Sequence, residues 1–364
     1  MRAHVVDPSA YTPPYDHALC SALAAEGVEV TLYTSRFAYG AVPVPRGYSR
    51  DERFYRIAAR ARSPRLRRAI KLAEHVPDML AYRRAARSAQ IVHFQWLAVQ
   101  QLDGPLLPHG RPLVLTAHDI LPREPRPGQR RAQQRLYRRF DAVIAHSRHG
   151  ALRLEHELGV DPARVHVIPH GAFEHLAAAD RPEPPPGAAE GPPVVLCFGL
   201  MRPYKGIDVL LDAWGQGLDG AELWIVGMAR MDTSPLRARA PASVRFDERF
   251  VADAELPSLF ARAQLVVLPY REAEASGVLF TALAFGRPMV LSDVGAFPEL
   301  AATGAARVFP AGRPEALREA LRELLADAAA RERMSRSALA AARGPYSWRA
   351  VARQTIELYS SLLR

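Results

Sequence analysis

The sequence is poor in the features that mark secreted, membrane-spanning and disulfide-bonded proteins. Its 364 residues include only two cysteines, Cys20 and Cys197, too few for a disulfide framework or a cysteine zinc cluster. We expect both to be reduced core residues. No apolar run approaches the roughly 18 residues that span a bilayer, and the opening segment MRAHVVDPSAYTPPYD has no apolar signal-peptide core. The sequence therefore predicts a cytoplasmic protein.

Patterns that bind metal ions are also missing from the sequence. The chain has no Asp-x-Asp pair, the arrangement that would hold a divalent cation on a diphosphate. No further metal ligands occur at suitable spacing from His146, His149, His156 and His175. We therefore predict no metal ion and no cofactor.

Positive charge is in excess. The 48 Lys and Arg residues outnumber the 38 Asp and Glu residues, and the formal net charge of +10 favours an anionic partner such as phosphate, nucleic acid or a membrane surface. Residues 52–87 and 126–141 concentrate arginine among apolar and aromatic residues. Two interpretations stay open for these segments. One is a helical surface that lies on an anionic membrane, and the other is a solvated face whose arginine content reflects a GC-rich genome.

Short apolar segments alternate with helical segments in both halves of the chain, which is typical of parallel sheets covered on both faces. The sequence predicts two doubly wound α/β domains, residues 1–175 and 194–346, with a Pro- and Gly-rich linker at 176–193. An amphipathic helix at 347–364 ends the chain. The predicted strands cover residues 3–7, 28–34, 91–95, 113–118, 142–147 and 165–171, and then 194–199, 221–227, 243–250, 265–270 and 288–293.

One turn in the second half has the features of an anion site. In FGLMRPYKGIDVLLDAW, residues 198–214, Gly199 ends a predicted strand and Arg202 and Lys205 lie in the turn before a predicted helix. Ligands of parallel sheets bind at the carboxyl ends of strands, where helix amino ends and cations favour phosphate. Taken alone, a Lys-Gly pair in such a turn favours a solvated loop that carries two surface charges over an anion site.

A second segment, residues 266–300, has a similar design. Ser276 and Gly277 open an apolar helix directly after a predicted strand and an acidic loop. Two such sites in one domain indicate a diphosphate ligand. Glu272 or Glu274 is placed to accept hydrogen bonds from neutral hydroxyl groups, so the sequence predicts a nucleotide-sugar site.

From Gly199 to Glu299, and more loosely along nearly the whole chain, the sequence resembles the family-4 retaining glycosyltransferases of GT-B fold. The motifs that carry the resemblance are FGLMRPYKGIDVLLDAW, EASGVLFTALAFGRPMVLSDVGAFPE, FDAVIAHS followed by VHVIPHG, and SWRAVARQTIELYSSLL. The resemblance implies two Rossmann-like domains facing each other across a cleft, and a C-terminal helix that packs back toward the N-terminal domain. It also implies metal-independent transfer of a sugar, with retention of configuration, from a nucleotide-sugar donor to a small-molecule, lipid or glycan acceptor.

The resemblance also implies roles for individual residues. The donor-binding residues would be Gly199, Arg202, Lys205, Ser276, Gly277 and Val278, and the catalytic residues would be His118, Arg202, Lys205 and Glu274. His118 ends a predicted strand in LVLTAH, at a position where the family often has a histidine beside the donor sugar. On the acceptor side we single out Tyr15 and His17, for which packing of the first helix is the alternative.

The sequence departs from the family pattern at two places. Where the family carries a second glutamate, near the ribose, this chain has Thr281 or Ala282, and the segment DPSAYTPPYDHAL replaces the N-terminal glycine-rich loop. The resemblance therefore gives neither a nucleotide preference nor the acceptor. A GT-B sugar-nucleotide epimerase or phosphorylase is the same-fold alternative. A basic nucleic-acid-binding protein is the alternative from another class, but no nucleic-acid module is recognisable and nucleic acid is not an expected partner.

Overall fold

The chain forms two compact units in the computed structural model, which describes residues 1–37, 40–61, 63–121, 128–178, 191–218, 220–274 and 276–364. The first unit comprises Met1–Gly171 and Trp348–Arg364, and the second comprises Ala172–Ser347. Most of the predicted linker lies at positions outside the described residues, 179–190. Both units are of the predicted α/β class.

The first unit is built on a parallel sheet with, among the described residues, seven strands in the order β3-β2-β1-β4-β5-β6-β7. The strands are β1 (Arg2–Asp7), β2 (Glu29–Ser35), β3 (Ser49–Phe54), β4 (Ile91–Phe94), β5 (Leu113–Thr116), β6 (Ala142–Ala145) and β7 (Val165–Val167). Its first helices are α1 (Pro13–Ala25), α2 (Pro64–Ala85), α3 (Gln100–Leu106), α4 (Gln129–Tyr137) and α5 (Arg148–Leu158). The central strands are short apolar runs buried along their whole length, as a sheet covered on both faces requires.

The second unit repeats this plan with, among the described residues, a six-stranded parallel sheet in the order β10-β9-β8-β11-β12-β13. The strands are β8 (Val194–Phe198), β9 (Glu222–Val226), β10 (Val244–Asp247), β11 (Ala263–Leu268), β12 (Met289–Ser292) and β13 (Ala306–Phe309). The helices are α6 (Glu174–Ala178), α7 (Ile207–Trp214), α8 (Ser234–Ala238), α9 (Leu256–Arg262), α10 (Gly277–Ala284), α11 (Phe297–Leu300), α12 (Pro314–Ala326) and α13 (Ala328–Arg343). Both strand orders are those of doubly wound sheets, so the predicted fold class is confirmed.

Two strands of these sheets, β3 and β13, were absent from the sequence prediction. Strand β3 has the sequence SRDERF, and β13 has the sequence ARVF. Each lies at the end of its sheet and pairs with a single neighbour, β2 or β12. Because an edge strand meets solvent, it can carry charged side chains. The apolar pattern that revealed the central strands is therefore missing from β3 and β13.

The last helix, α14 (Trp348–Leu362), belongs to the first unit and packs on α1. Its Tyr359 is fully buried, and the phenol oxygen lies 2.6 Å from His93 Nδ1 on β4. Where the chain leaves the unit and returns to it, Gly171 lies directly against Trp348, and a Cβ added at Gly171 would come within 2.5 Å of the indole ring. Among the described residues, no helix combines the length and the apolar character needed to cross a membrane.

Candidate functional site

The turn after β8 holds a buried lysine. Lys205 is 7% exposed, although it follows the exposed Arg202 in a short 3-10 turn. Its ammonium donates a 2.7 Å hydrogen bond to the phenol oxygen of Tyr270, which follows β11, and it also lies 4.7 Å from the centre of that ring. A fixed positive charge is therefore positioned where two neighbouring strands end.

Glycines allow the backbone to come this close. Gly199 has φ of +106°, and a Cβ there would lie 3.0 Å from both Lys205 Nζ and Val278 Cγ2. Gly206 has φ of +65°, and a Cβ there would overlap the carbonyl oxygen of Pro269 at 1.9 Å. A side chain at Gly206 would push the turn away from the loop after β11, and one at Gly199 would crowd Lys205 and Val278.

An ion pair at the surface joins the turn region after β8 to the loop after β11. The Arg271 guanidinium forms a two-bond pair with Asp208 on α7 and also donates to the carbonyl oxygen of Pro203. The hydrogen bonds from Arg271 lower the pKa of the Asp208 carboxyl. This pair fixes the amino end of α7 against the loop that follows β11.

The amino end of α10 lies against the same group of residues in the second unit. Ser276 is buried, and its hydroxyl lies 3.4 Å from the phenol oxygen of Tyr270, which also binds Lys205. Gly277 begins the helix, and Ser276 makes no side-chain cap to it. The structure thus brings together Gly199, Lys205, Ser276 and Val278. Glu274 lies partly buried in the loop between Tyr270 and Ser276.

Tyr270 is the member of this site that the sequence analysis missed. The signal for it was its position in LVVLPY, directly after the buried strand β11. At the position of the missing family glutamate, the Thr281 hydroxyl donates to the Gly277 carbonyl oxygen at 2.9 Å, and Ala282 is buried. Neither residue supplies a carboxylate.

In the first unit, His118 follows β5 and has partners at both ring nitrogens. Its Nε2 lies 3.1 Å from the Gln95 side-chain amide, and its Nδ1 lies 3.3 Å from His146 Nε2. Trp96 stacks on the imidazole with ring centres 4.9 Å apart. Desolvation, followed by the neighbouring histidines, holds the pKa of His118 well below its usual value.

A backbone hydrogen bond determines the tautomer of His146. His146 Nδ1 faces the carbonyl oxygen of Ile168 at 3.1 Å and must donate to it. Burial lowers the pKa of His146 to about 4, so the ring is neutral and its Nε2, which faces His118 Nδ1 at 3.3 Å, carries no proton. The Gln95 amide lies between two histidines. Its Oε1 is 3.1 Å from His118 Nε2, and its Nε2 is 3.2 Å from His93 Nε2.

The loop that replaces the family's glycine-rich loop is organised by one carboxylate. Asp7, at the end of β1, accepts hydrogen bonds from the backbone N–H groups of Ser9, Tyr11 and Thr12 at 3.1, 2.6 and 3.2 Å. The Thr12 hydroxyl in turn accepts a 3.0 Å bond from the indole of Trp96. This carboxylate therefore positions the tryptophan that stacks on the histidine after β5.

Asp16 on α1 is buried beside Asp7. Burial raises the pKa of both carboxyls, and the negative charge of Asp7 raises that of Asp16 further. Asp7 receives three amide hydrogen bonds, whereas Asp16 Oδ1 has no hydrogen-bond partner among the described residues. Asp7 is therefore the ionised member of the pair, and Asp16 is the protonated one.

A cavity of about 600 Å³ opens beside His118 and Trp96 in the first unit. The described residues that line it do not include the two predicted acceptor-side residues. Tyr15 is buried with its ring edge-on to His118 at 4.6 Å. His17 lies 3.1 Å from the Tyr48 phenol oxygen and faces a separate cavity of about 20 Å³. The structure thus gives both residues packing contacts within the unit.

Two further observations concern predictions about ligands and cysteines. Among the described residues, no group of three or more His, Cys, Asp or Glu side chains could hold a metal ion. Both cysteines are buried and unpaired, Cys20 on α1 and Cys197 on β8, as the sequence predicted.

Burial of the neutral His146 predicts that the protein loses stability in acid. His146 has a folded-state pKa of about 4, below the ordinary 6.5, so the unfolded chain takes up the proton first as the pH falls through 6.5. The free energy of unfolding therefore decreases between pH 6.5 and about 4. Because His146→Gln removes this titrating group, the free energy of unfolding of the variant should fall by about 2 kcal/mol less than that of the wild type between pH 7 and pH 5.

Urea titration of both proteins at the two pH values measures this difference. His156→Gln, a change at an exposed position on α5, is the matched control and should follow the wild type. An equal loss of stability in wild type and His146→Gln would show that His146 is not held neutral.

Two family models match the sequence. The model described as Glycosyltransferase Family 4 matches residues 15–172, and the model described as Glycosyl transferases group 1 matches residues 192–327. Together they cover most of both units.

Curated relatives carry the same assignment. The chain is 31% identical over 189 residues to a GDP-mannose:glycolipid 4-beta-D-mannosyltransferase of Xanthomonas campestris pv. campestris, a match that spans 50% of each protein. It is 27% identical to a D-inositol 3-phosphate glycosyltransferase of Corynebacterium glutamicum (strain R), over 94% of this chain and 89% of the relative.

Solved structures share the fold over nearly the whole chain. A sucrose-phosphate synthase from Thermosynechococcus elongatus superimposes with a TM-score of 0.75 at 19% identity, covering 100% of this chain and 99% of the other. Anabaena HepE in complex with UDP-glucose gives a TM-score of 0.73 at 21% identity, covering 99% and 100%. The two doubly wound sheets and these likenesses show the GT-B fold. By the two family models, which together match residues in both units, the chain belongs to the family-4 glycosyltransferases.

Proposed function

We propose that the protein is a retaining, metal-independent glycosyltransferase. The second unit would bind a nucleotide-diphosphate sugar, and the first unit would bind the acceptor. The observation that carries this proposal is the buried ammonium of Lys205, held between Gly199 and Tyr270 at the ends of two strands. A buried cation beside helix amino ends is suited to a diphosphate.

The names of similar proteins support the class of donor. HepE was solved with UDP-glucose and with UDP, and the Xanthomonas relative is named for GDP-mannose. These proteins use different nucleotides, and this chain lacks a carboxylate at the position of the family's ribose-binding glutamate. We therefore assign a nucleoside diphosphate without choosing the base.

The proposed chemistry depends on charge that develops during the reaction. As the bond between sugar and diphosphate breaks, negative charge grows on the leaving diphosphate, and Lys205 and Arg202 stabilise it without a metal ion. A unit charge pair at about 4 Å contributes up to about 4 kcal/mol at an effective dielectric near 20, before desolvation is subtracted. The hydrogen bond to Tyr270 holds the ammonium in place before the donor arrives, so little reorganisation is needed.

Lys205→Ala should lower turnover about a hundredfold, the usual loss when one preorganised donor to a developing charge is removed. It should also abolish the stabilisation by UDP or GDP, which for the wild type is about 2.7 kcal/mol at a hundredfold excess over the dissociation constant. Thermal shift and release of nucleoside diphosphate measure the two effects. Arg307→Ala, which removes an exposed ion pair with Glu323 in the same unit, is the control. Normal turnover by a folded Lys205→Ala protein would refute the proposal.

Retention of configuration is the second part of the proposal. It implies that the product has the anomeric configuration of the donor. We propose Glu274 in the second unit and His118 in the first as further catalytic residues. Proton NMR of the first product formed, before any mutarotation of free sugar, reads the configuration from the anomeric coupling. We expect an α product from an α-linked donor, and a β product would show inversion.

Release of nucleoside diphosphate only when an acceptor is present would separate transfer from epimerase or phosphorylase activity.

The exposed face of α2 supports an anionic membrane surface as a partner. Leu66, Leu72 and Leu80 are 54%, 55% and 41% exposed, and they are interspersed with exposed arginines, among them Arg65 and Arg68. An apolar stripe flanked by cations matches the boundary between lipid head groups and acyl chains. We propose that this helix lies on anionic lipid and brings the first unit to a lipid-linked acceptor.

Sedimentation with vesicles tests this surface. The wild type should sediment with phosphatidylglycerol vesicles and not with phosphatidylcholine vesicles, because both charge and apolar area are needed. The triple change of Leu66, Leu72 and Leu80 to Ser should remove most of the binding. Leu152→Ser, at a position 53% exposed on α5, should leave it unchanged. No sedimentation of the wild type with either vesicle would end the membrane proposal.

A further inference from the structure

A path of hydrogen-bonding side chains runs through the first unit from its last helix to the end of β6. Tyr359 on α14 meets His93 Nδ1 at 2.6 Å, and His93 Nε2 lies 3.2 Å from the amide nitrogen of Gln95. The oxygen of that amide lies 3.1 Å from His118 Nε2, and His118 Nδ1 lies 3.3 Å from His146 Nε2. The path therefore joins α14 to the carboxyl ends of β4, β5 and β6.

The imidazoles in this path are neutral. Burial lowers the pKa of His93 to about 3 and that of His146 to about 4, and it holds the pKa of His118 well below its ordinary value. A neutral imidazole carries one proton, so one ring nitrogen donates and the other accepts. The position of each proton is therefore determined by the partners at the two ring nitrogens.

The amide of Gln95 makes the two imidazoles beside it depend on each other. With its oxygen toward His118 and its nitrogen toward His93, as the structure places them, His118 carries its proton on Nε2 and His93 carries its proton on Nδ1. A half-turn about the last side-chain bond exchanges the amide oxygen and nitrogen, which moves the two protons to His118 Nδ1 and His93 Nε2. The hydroxyl groups of Thr116 and Tyr359, at 2.7 and 2.6 Å from His93, can donate or accept and fit either arrangement.

The contact with His146 distinguishes the two arrangements. The proton of His146 is on Nδ1, which donates to the Ile168 carbonyl oxygen at 3.1 Å, so its Nε2 is an acceptor. With His118 protonated on Nε2, two unprotonated nitrogens would face each other at 3.3 Å. With His118 protonated on Nδ1, the same contact is a hydrogen bond, as buried polar groups require.

We propose that Gln95 is a positioning residue for His118, with its amide turned so that the NH₂ group donates to His118 Nε2 and the oxygen accepts from His93 Nε2. His118 then carries its proton on Nδ1, and the tautomers of His118 and His93 change only together. This inference rests on the proposed function in one respect, since it concerns the tautomer and ring orientation of a proposed catalytic histidine.

Nitrogen-15 NMR of the full chain with labelled histidine tests the inference, because protonated and unprotonated ring nitrogens resonate in separate regions. Loss of signals in His93→Gln and in His118→Gln assigns the two rings. We expect the proton on Nδ1 of His118 and on Nε2 of His93. A proton on Nε2 of His118, or the same nitrogen protonated in both rings, overturns the inference.

Removal of His146 tests whether Gln95 joins the two tautomers. In His146→Leu, a proton on His118 Nδ1 would be a buried donor without an acceptor, so it should move to Nε2. The amide should then turn, and the proton of His93 should move to Nδ1. In the double variant His146→Leu/Gln95→Leu, His93 should keep the tautomer that it has in Gln95→Leu. His156→Leu, at an exposed position on α5, is the control and should leave both rings unchanged.

Two results from these variants would contradict the inference. An unchanged His93 in His146→Leu would show that the two tautomers are independent. Movement of the His93 proton on removal of His146 in the absence of Gln95 would show that another path joins them, and Gln95 would then not be the positioning residue.

This inference and the glycosyltransferase proposal fail in different ways. The NMR experiments use no nucleotide, so an unexpected tautomer would refute the role of Gln95 and leave the glycosyltransferase proposal intact. Absence of stabilisation by UDP and GDP would count against the glycosyltransferase proposal, whatever the tautomers of His118 and His93 are.

Discussion

A parallel sheet buried on both faces has few places for polar side chains, and this constraint organises both units. On the central strand β4, His93 is fully bonded, since its two ring nitrogens meet Tyr359 and Thr116. Elsewhere they collect beyond the carboxyl ends of strands, where loops turn toward helices. Asp7, Gln95, His118 and Lys205 all lie at or just past such ends.

The sequence was sufficient for features that depend on local pattern. Apolar runs located the central strands, and glycines around a Lys-containing turn indicated the close packing of that turn near Gly199. It was insufficient where a contact joins distant segments. Tyr270 meets Lys205 across 65 positions, and Gln95 meets His118 across 23, so no window of sequence contains either pair. The edge strand β3 was missed for a different reason, because solvent relieves it of the need to be apolar.

The two candidate binding regions differ in how they use charge. The second unit buries an ammonium beside helix amino ends, an arrangement suited to a ligand whose charge grows during a reaction. The described cavity of the first unit relies on amides and stacked rings, which discriminate by hydrogen-bond geometry and shape.

The contact between Gly171 and Trp348 has a consequence for biosynthesis. The first unit is interrupted by the whole of the second, and the helix that covers α1 and binds His93 is encoded after it. While the ribosome synthesises residues 172–347, the apolar side of α1 has not yet received its partner. The core of the first unit therefore stays incomplete while nearly half of the chain is translated. The second unit can complete its fold first.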